Sequence, residues 1–355
     1  MNEHEINAAL AACSGTYALP IGRHVVNGQI TVPQGKRLLG LGQVPQTWPF
    51  LPTGAFLDVR WGAGTPGNLA TAAVVLQAGA TIENVCGDYS TVQPATREPT
   101  EWASFVMPFD PASGGLCMSV IGCNFNRAWI GADFRGSRTG QGIIGPIITG
   151  NYGTPLNTGI WLDYMVDWGV IKENRFNSGF IDPVNPSNPL RRWVSSYGTV
   201  VKLGGNDWAT VENAQAWGYK CGVEIKGGDG YSGVGPYRVR GCSFDSCLYG
   251  VYINPTAEYK LIALEGNNFC PYNSLTGAGG YALALPATTG KGIIFQGNYI
   301  FGPAAGIVQA PNSSWSLFTV LNNQGDAGTT GVPWLDKAGA STYFNVAYNR
   351  FGGFL

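Results

Sequence analysis

Apolar and polar residues alternate along much of this chain with a period of two, in short runs bounded by Gly, Pro and Asn. "GIWLDY" (159–164), "GFIDPV" (179–184), "GVEIKG" (222–227), "GVYINP" (250–255) and "GIVQAP" (306–311) all fit one alignment. Successive side chains of an extended strand point to opposite faces, so each run predicts a short strand with one face buried. In this alignment Ile160, Leu162, Val223, Ile225, Val251 and Ile253 point inward. Trp161, Asp163, Glu224, Lys226, Tyr252 and Asn254 then share the outer face, with Asp182 on an intervening coil.

The strands also recur as larger units. "VIGCNFNRAWIGADF" (120–134), anchored at Asn124, returns in altered form as "VRGCSFDSCLYGVYI" (239–253), anchored at Ser243, and comparable segments are anchored at Asn151, Asn174, Asn213, Asn268, Asn298, Asn323 and Asn349. Most steps fall between about 23 and 30 residues, the length of one turn of a parallel β-helix. The expected fold is all-β: a right-handed parallel β-helix of about ten coils. Each coil buries little alone, and stacking at about 4.8 Å turns like residues into columns. An Asn at each bend can adopt the left-handed conformation, and stacked amides can bond along the axis. Phe125, Phe244, Phe269 and Tyr299 form the expected inner aromatic column, and Cys123 and Cys242 occupy equivalent places.

The start of the chain departs from this pattern. Ile6, Ala9 and Leu10 lie at helical spacing, followed by strands punctuated by Pro and Gly. Residues 1–42 therefore read as an N-terminal cap with its opening strands, and 43–355 as the β-helix. Loop insertions are expected at about 87–115 and 183–198, where Pro, Trp and Arg concentrate in an otherwise spare solenoid.

Composition narrows the function. Charged residues make up 12% of the 355 and the net charge is −1, with no basic run, which argues against nucleic acid as a partner. No apolar stretch is long enough to cross a membrane as a helix, and the N-terminus lacks the basic and apolar regions of a secretory signal. The eight cysteines show no CxxC spacing and only His4 and His24 could join them as metal ligands, so buried free thiols are expected, with no metal and no cofactor.

The segment "INAALAACSGTYALPIGRHVVNGQITVPQGKRLLGLG", together with the coil pattern that follows, resembles the start of pectate-lyase-like β-helix domains, most of all those of bacteriophage tailspikes. The resemblance implies a polysaccharide depolymerase that binds and cleaves a bacterial surface glycan. It also implies a homotrimer, virion tail proteins as further partners, and a place on the virion tail or outside the cell after synthesis in the cytoplasm without a signal peptide. No calcium-binding Asp cluster with a following Arg is found, which sets the chain apart from pectate lyases.

Hydrolysis of a glycosidic bond needs two carboxyl groups across it. Asp163 and Glu224, two coils apart in the alignment, are the expected acid and base, with Asp182 between them raising a partner's pKa. Asp133, Asp207 and Glu212 are reserves. Trp161, Tyr252, Trp193 and Tyr197 offer flat surfaces to sugar rings, and Arg191 and Arg192 can pair with anionic substituents. The rival classes are a non-catalytic glycan-binding or structural surface protein, and a polysaccharide lyase using Lys226 or Tyr252 as base.

Overall fold

The computed structural model describes residues 1–42, 53–109, 115–135, 142–185, 187–226, 235–254, 258–325 and 333–352. The chain divides into two compact units, Met1–Val194 and Ser195–Leu355. Each is built from coils of three short strands, which feed three parallel sheets here called A, B and C.

In the first unit the helix Glu3–Ala12 comes first. Asn2 and Glu5 form a reciprocal capping box, and Ile6 and Leu10 are fully buried. The helix serves as an end cap in a specific way. Asn7 donates to the Gln29 carbonyl at 2.8 Å and accepts from the Thr31 amide at 2.8 Å, satisfying backbone groups at the edge of the strand Ile30–Val32. Lys36 closes the other end of the helix by donating to the Leu10 and Ala11 carbonyls. Coils then follow in register. Ser119–Ile121, Asn124–Asn126 and Ile130–Arg135 pair in parallel with Ile147–Thr149, Tyr152–Thr154 and Thr158–Asp163.

The second unit repeats the plan. Its C strands include Thr199–Leu203, Cys221–Ile225, Tyr249–Ile253, Tyr281–Ala284 and Gly306–Gln309, again all parallel. Successive strands of one coil enter different sheets, so the ladder bonds join residues about 20 to 45 places apart. The chain is a right-handed parallel β-helix, as its periodicity implies.

The turn from sheet A to sheet B splits between two residues the work expected of one asparagine. The first residue takes the left-handed conformation: Gly150 (φ 66°) and Glu173 (φ 57°) in the first unit, Gly241 (φ 61°) and Asn322 (φ 53°) in the second. The second residue points inward and carries the ladder. Asn298 accepts from the Asn267 backbone and side-chain amides, each at 3.0 Å, and Asn323 and Asn349 continue the chain of bonds. Asn151 and Asn174 do the same in the first unit. The sequence anchors are therefore one residue late at Asn124 and Asn268, where Cys123 and Asn267 hold the inner place, and one early at Asn213, which is itself the left-handed residue.

The aromatic column forms as expected with one exception. Phe125 stacks on Phe176 at 5.7 Å in the first unit, and Phe244, Phe269 and Phe295 follow one another at 6.1 and 6.2 Å in the second. Tyr299 is 39% exposed, because it lies opposite Asn268 while Ile300 takes the inner position behind Phe269. The rings need room that only glycine leaves. A Cβ on Gly222 would stand 2.5 Å from Phe244, and one on Gly250 would stand 2.3 Å from Phe269.

Candidate functional site

In the second unit the outer face of sheet C carries a cleft of about 260 Å³. Strict register builds it: Lys202 lies opposite Glu224 and Glu224 opposite Tyr252, while Thr199, Cys221 and Tyr249 form the neighbouring column. Alternation turns Val201, Val223 and Val251 into the core and leaves Lys202, Glu224 and Tyr252 facing outward, while Thr199, Cys221 and Tyr249, two residues before those valines, line the cleft at the start of their strands. Tyr197, at the end of the helix Pro189–Tyr197, stands 59% exposed at the rim. Thr199 and Cys221 are small, so the cleft has depth where a larger pair would fill it.

Glu224 is the carboxylate of this cleft. Its Oε1 accepts from Asn254 Nδ2 at 2.6 Å, while Oε2 accepts from Thr199 Oγ1 at 3.4 Å and meets Lys202 Nζ at 3.3 Å. Asn254 is positioned in turn, because the Tyr259 hydroxyl donates to its carbonyl at 2.7 Å. Donors on three sides thus fix the carboxylate's orientation while leaving it in the cleft wall. The Tyr249 and Tyr252 rings pack with centroids 5.2 Å apart and tilted by 48°. Burial raises the pKa of both hydroxyls, and Glu224 adds to the effect at Tyr252, so both remain protonated through neutral pH. Burial likewise pushes the Cys221 thiol well up, which makes it a wall of the cleft rather than a nucleophile.

The other expected residues lie elsewhere. Trp161 and Asp163 face outward on the strand Thr158–Asp163 in the first unit, with Ile160 and Leu162 buried on its inner face. Arg135 covers the Trp161 ring at 4.0 Å, and its guanidinium makes two 2.6 Å bonds to the buried Asp133, to which Ser104 also donates. One face of Trp161 is thereby occupied, and Asp133 is a structural acid. Asp163 accepts from the Tyr164 amide at 2.8 Å.

Asp182 requires correction. No strand forms at 179–184: Ser178–Ile181 is a 3-10 helix, and Asp182 Oδ1 accepts from the Val184 and Asn185 amides in an Asp-Pro turn. The coil regains sheet C only after the inserted helix, at Thr199–Leu203. In chain order, the C strand between those of Asp163 and Glu224 therefore presents Lys202, a cation, where a carboxylate was expected.

Arg191 is buried, with Nη1 3.5 Å from the Asp182 carbonyl, and the exposed Arg192 donates to Ser187 at 2.7 Å. Trp193 packs on Trp129 with centroids 5.8 Å apart, so its ring serves the first unit's interior. Lys226 continues the outward alternation past Glu224, its amide bonded to Leu203. Of the reserves, Glu212 lies on sheet A in an ion pair with Arg240. Among the described residues no group of three or more His, Cys, Asp or Glu is placed to hold a metal ion.

Sequence reasoning missed Lys202, Thr199, Lys220 and Tyr249. A signal existed for the first two: "TVVKLGG" (199–205) aligns with "CGVEIKGG" (221–228) once a valine is matched to a valine, but the false strand at 179–184 had already filled that coil.

No family model matches the chain, and no curated protein matches it. Solved structures do. The Dettilon tailspike protein is similar with a TM-score of 0.62 at 11% identity, over 97% of this chain and 64% of that one. The A-module of the Azotobacter vinelandii mannuronan C-5 epimerase is similar with a TM-score of 0.53 at 12% identity, over 98% and 93%. A surface adhesin of Streptococcus pneumoniae gives 0.51 at 12%, over 99% and 87%. What they share with this chain is the parallel β-helix. At such identities the likeness is one of fold, and among these β-helix proteins the roles already differ.

Proposed function

We propose that this chain is a tailspike-like depolymerase that binds a bacterial surface polysaccharide on sheet C of its second unit and hydrolyses it there. Glu224 is the observation that carries this reading: it is a carboxylate held by three donors in the wall of an open cleft beside two tyrosine rings. Rings of this kind provide flat apolar surfaces with a polar edge, which suits a sugar face and its hydroxyls. Glu224 would act as the base that activates water. Tyr252, directly opposite on the next coil and protonated at neutral pH, is a proton donor lining the same cleft. Asp163, on the outer face of sheet C in the first unit, is the other acid that the sequence singles out. The tailspike likeness supports a place on a virion tail or otherwise outside the cell, and the homotrimer remains what the sequence resemblance implies. No helix of the described residues is long and apolar enough to cross a membrane.

The test is release of reducing ends from a panel of bacterial surface polysaccharides. On the polymer that the wild type cleaves, Glu224→Gln is expected to lower kcat by about 10²-fold to 10⁴-fold with KM little changed, the range of a lost general base. Activity within threefold of wild type would remove Glu224 from the chemistry, and Asp163→Asn, assayed in the same way, tests that acid separately. Products absorbing in the ultraviolet instead of new reducing ends would mark β-elimination. That second reading is favoured by one observation, that Glu224 is the only carboxylate among the described residues lining the cleft.

A further inference from the structure

Among the described residues the charges of the cleft do not balance. Glu224 is matched by Lys202 at 3.3 Å. Lys220 also lines the cleft, at the turn that leads into the strand Cys221–Ile225, and no described carboxylate pairs with it. Its backbone is fixed, since its carbonyl accepts from the Tyr249 amide at 2.9 Å on the next coil. Neither tyrosine can offset it: burial keeps Tyr249 and Tyr252 protonated, so they are neutral at physiological pH. Among the described residues, two ammonium groups, Lys202 and the half-buried Lys220, thus face one fixed carboxylate, Glu224, beside two neutral rings, a surplus of one positive charge.

We infer that the cleft is built for an acidic glycan, and that Lys220 receives a sugar carboxylate while the adjacent ring rests against Tyr249 and Tyr252. This rests on the cleft being the glycan site proposed above, and it adds the substrate's charge. A neutral sugar would leave the ammonium partly desolvated without a partner, whereas a carboxylate supplies a charge-assisted hydrogen bond at that point. Lys202 cannot take the same role, because Glu224 already occupies it. The two arginines of the inserted segment are tied to its own backbone, Arg191 to Asp182 and Arg192 to Ser187. Lys220 is thus a specificity-determining contact, acting on binding through charge.

The experiment uses uronate-containing and sialate-containing bacterial polysaccharides, each paired with the same polymer after chemical reduction of its carboxyl groups to alcohols. Binding to the full chain is measured by calorimetry at two salt concentrations. The wild type is expected to bind an acidic polymer at least about tenfold more tightly than its reduced form, with the difference shrinking in high salt. Lys220→Gln should bring acidic binding down to the reduced level, and Lys220→Arg should keep most of the preference. Equal wild-type binding to both forms, or a preference that survives in folded Lys220→Gln, overturns the inference while leaving a glycan site in place. Binding to neither form of any polymer removes the glycan reading as well.

Discussion

Cys123 and Cys242 sit one residue apart from the positions where a repeating asparagine would be sought, each filling the inner place of an A-to-B turn. Both are fully buried, as are Cys86 and Cys247, and burial pushes the thiols of Cys123, Cys242 and Cys247 up to about 12. All eight cysteines are free, with Cys117 exposed and Cys13 half-buried. At pH 8 a small thiol reagent should therefore label Cys117 and Cys13 in the native chain and the remaining six only after denaturation, and rapid labelling of all eight would contradict the packing. The sign of the pH effect follows. A thiol whose pKa is higher in the folded state than in the unfolded one contributes fully below about pH 9, and that contribution is lost as pH rises towards 12. The melting temperature should accordingly fall across that interval. Free buried thiols were legible from the cysteine spacing, because unpaired cysteine behaves as a small apolar residue. The outward turn of Tyr299 was not, since a shift of one residue in register reverses inside and outside, and only the pairing with Asn268 fixes it.

The A-to-B turn shows how far an element could be read. That bends recur, and that Asn amides stack along them, follows from the sequence. Which residue of the two bears the left-handed φ does not, because Gly, Asn and even Glu173 serve there. The amide ladder is the costlier half to lose. Asn298 is 1% exposed and makes four side-chain bonds, accepting from both amides of Asn267 and donating to Asn323 and to the Leu264 carbonyl. Asn298→Ala should destabilise the chain by about 2–4 kcal/mol, since it leaves buried donors and an acceptor without partners. Gln296→Ala, on the exposed side of the same coil, should stay within about 0.5 kcal/mol. Urea denaturation of the two variants checks the contrast, and equal costs would deny the ladder its role. The inserted segment was harder to read. "GFIDPV" alternates like a strand, yet Asp182 binds the amides of its own turn and Asn188 caps the helix that follows, so local side-chain bonds outcompete pairing.

At the scale of the molecule, the repeat carries the architecture and says little about chemistry. The same three-sheet coil is shared with a tailspike, an epimerase module and an adhesin at 11–12% identity. What distinguishes this chain is which side chains the register lines up on an outer face. Glu224 and Tyr252 were visible as outward residues from alternation alone. Their setting of Lys202 and Thr199 was hidden, because those residues enter sheet C after an insertion whose length the sequence does not reveal, and Lys220 was missed because it lies in a turn outside the alternating run. The most direct measurement is a crystal structure of Glu224→Gln with an oligosaccharide released from the polymer that the wild-type chain cleaves. The account predicts ordered sugar on sheet C of the second unit, with a ring against Tyr249 or Tyr252 and a polar substituent within hydrogen-bond distance of residue 224. Sugar ordered on another face, with this cleft holding only solvent, would contradict it.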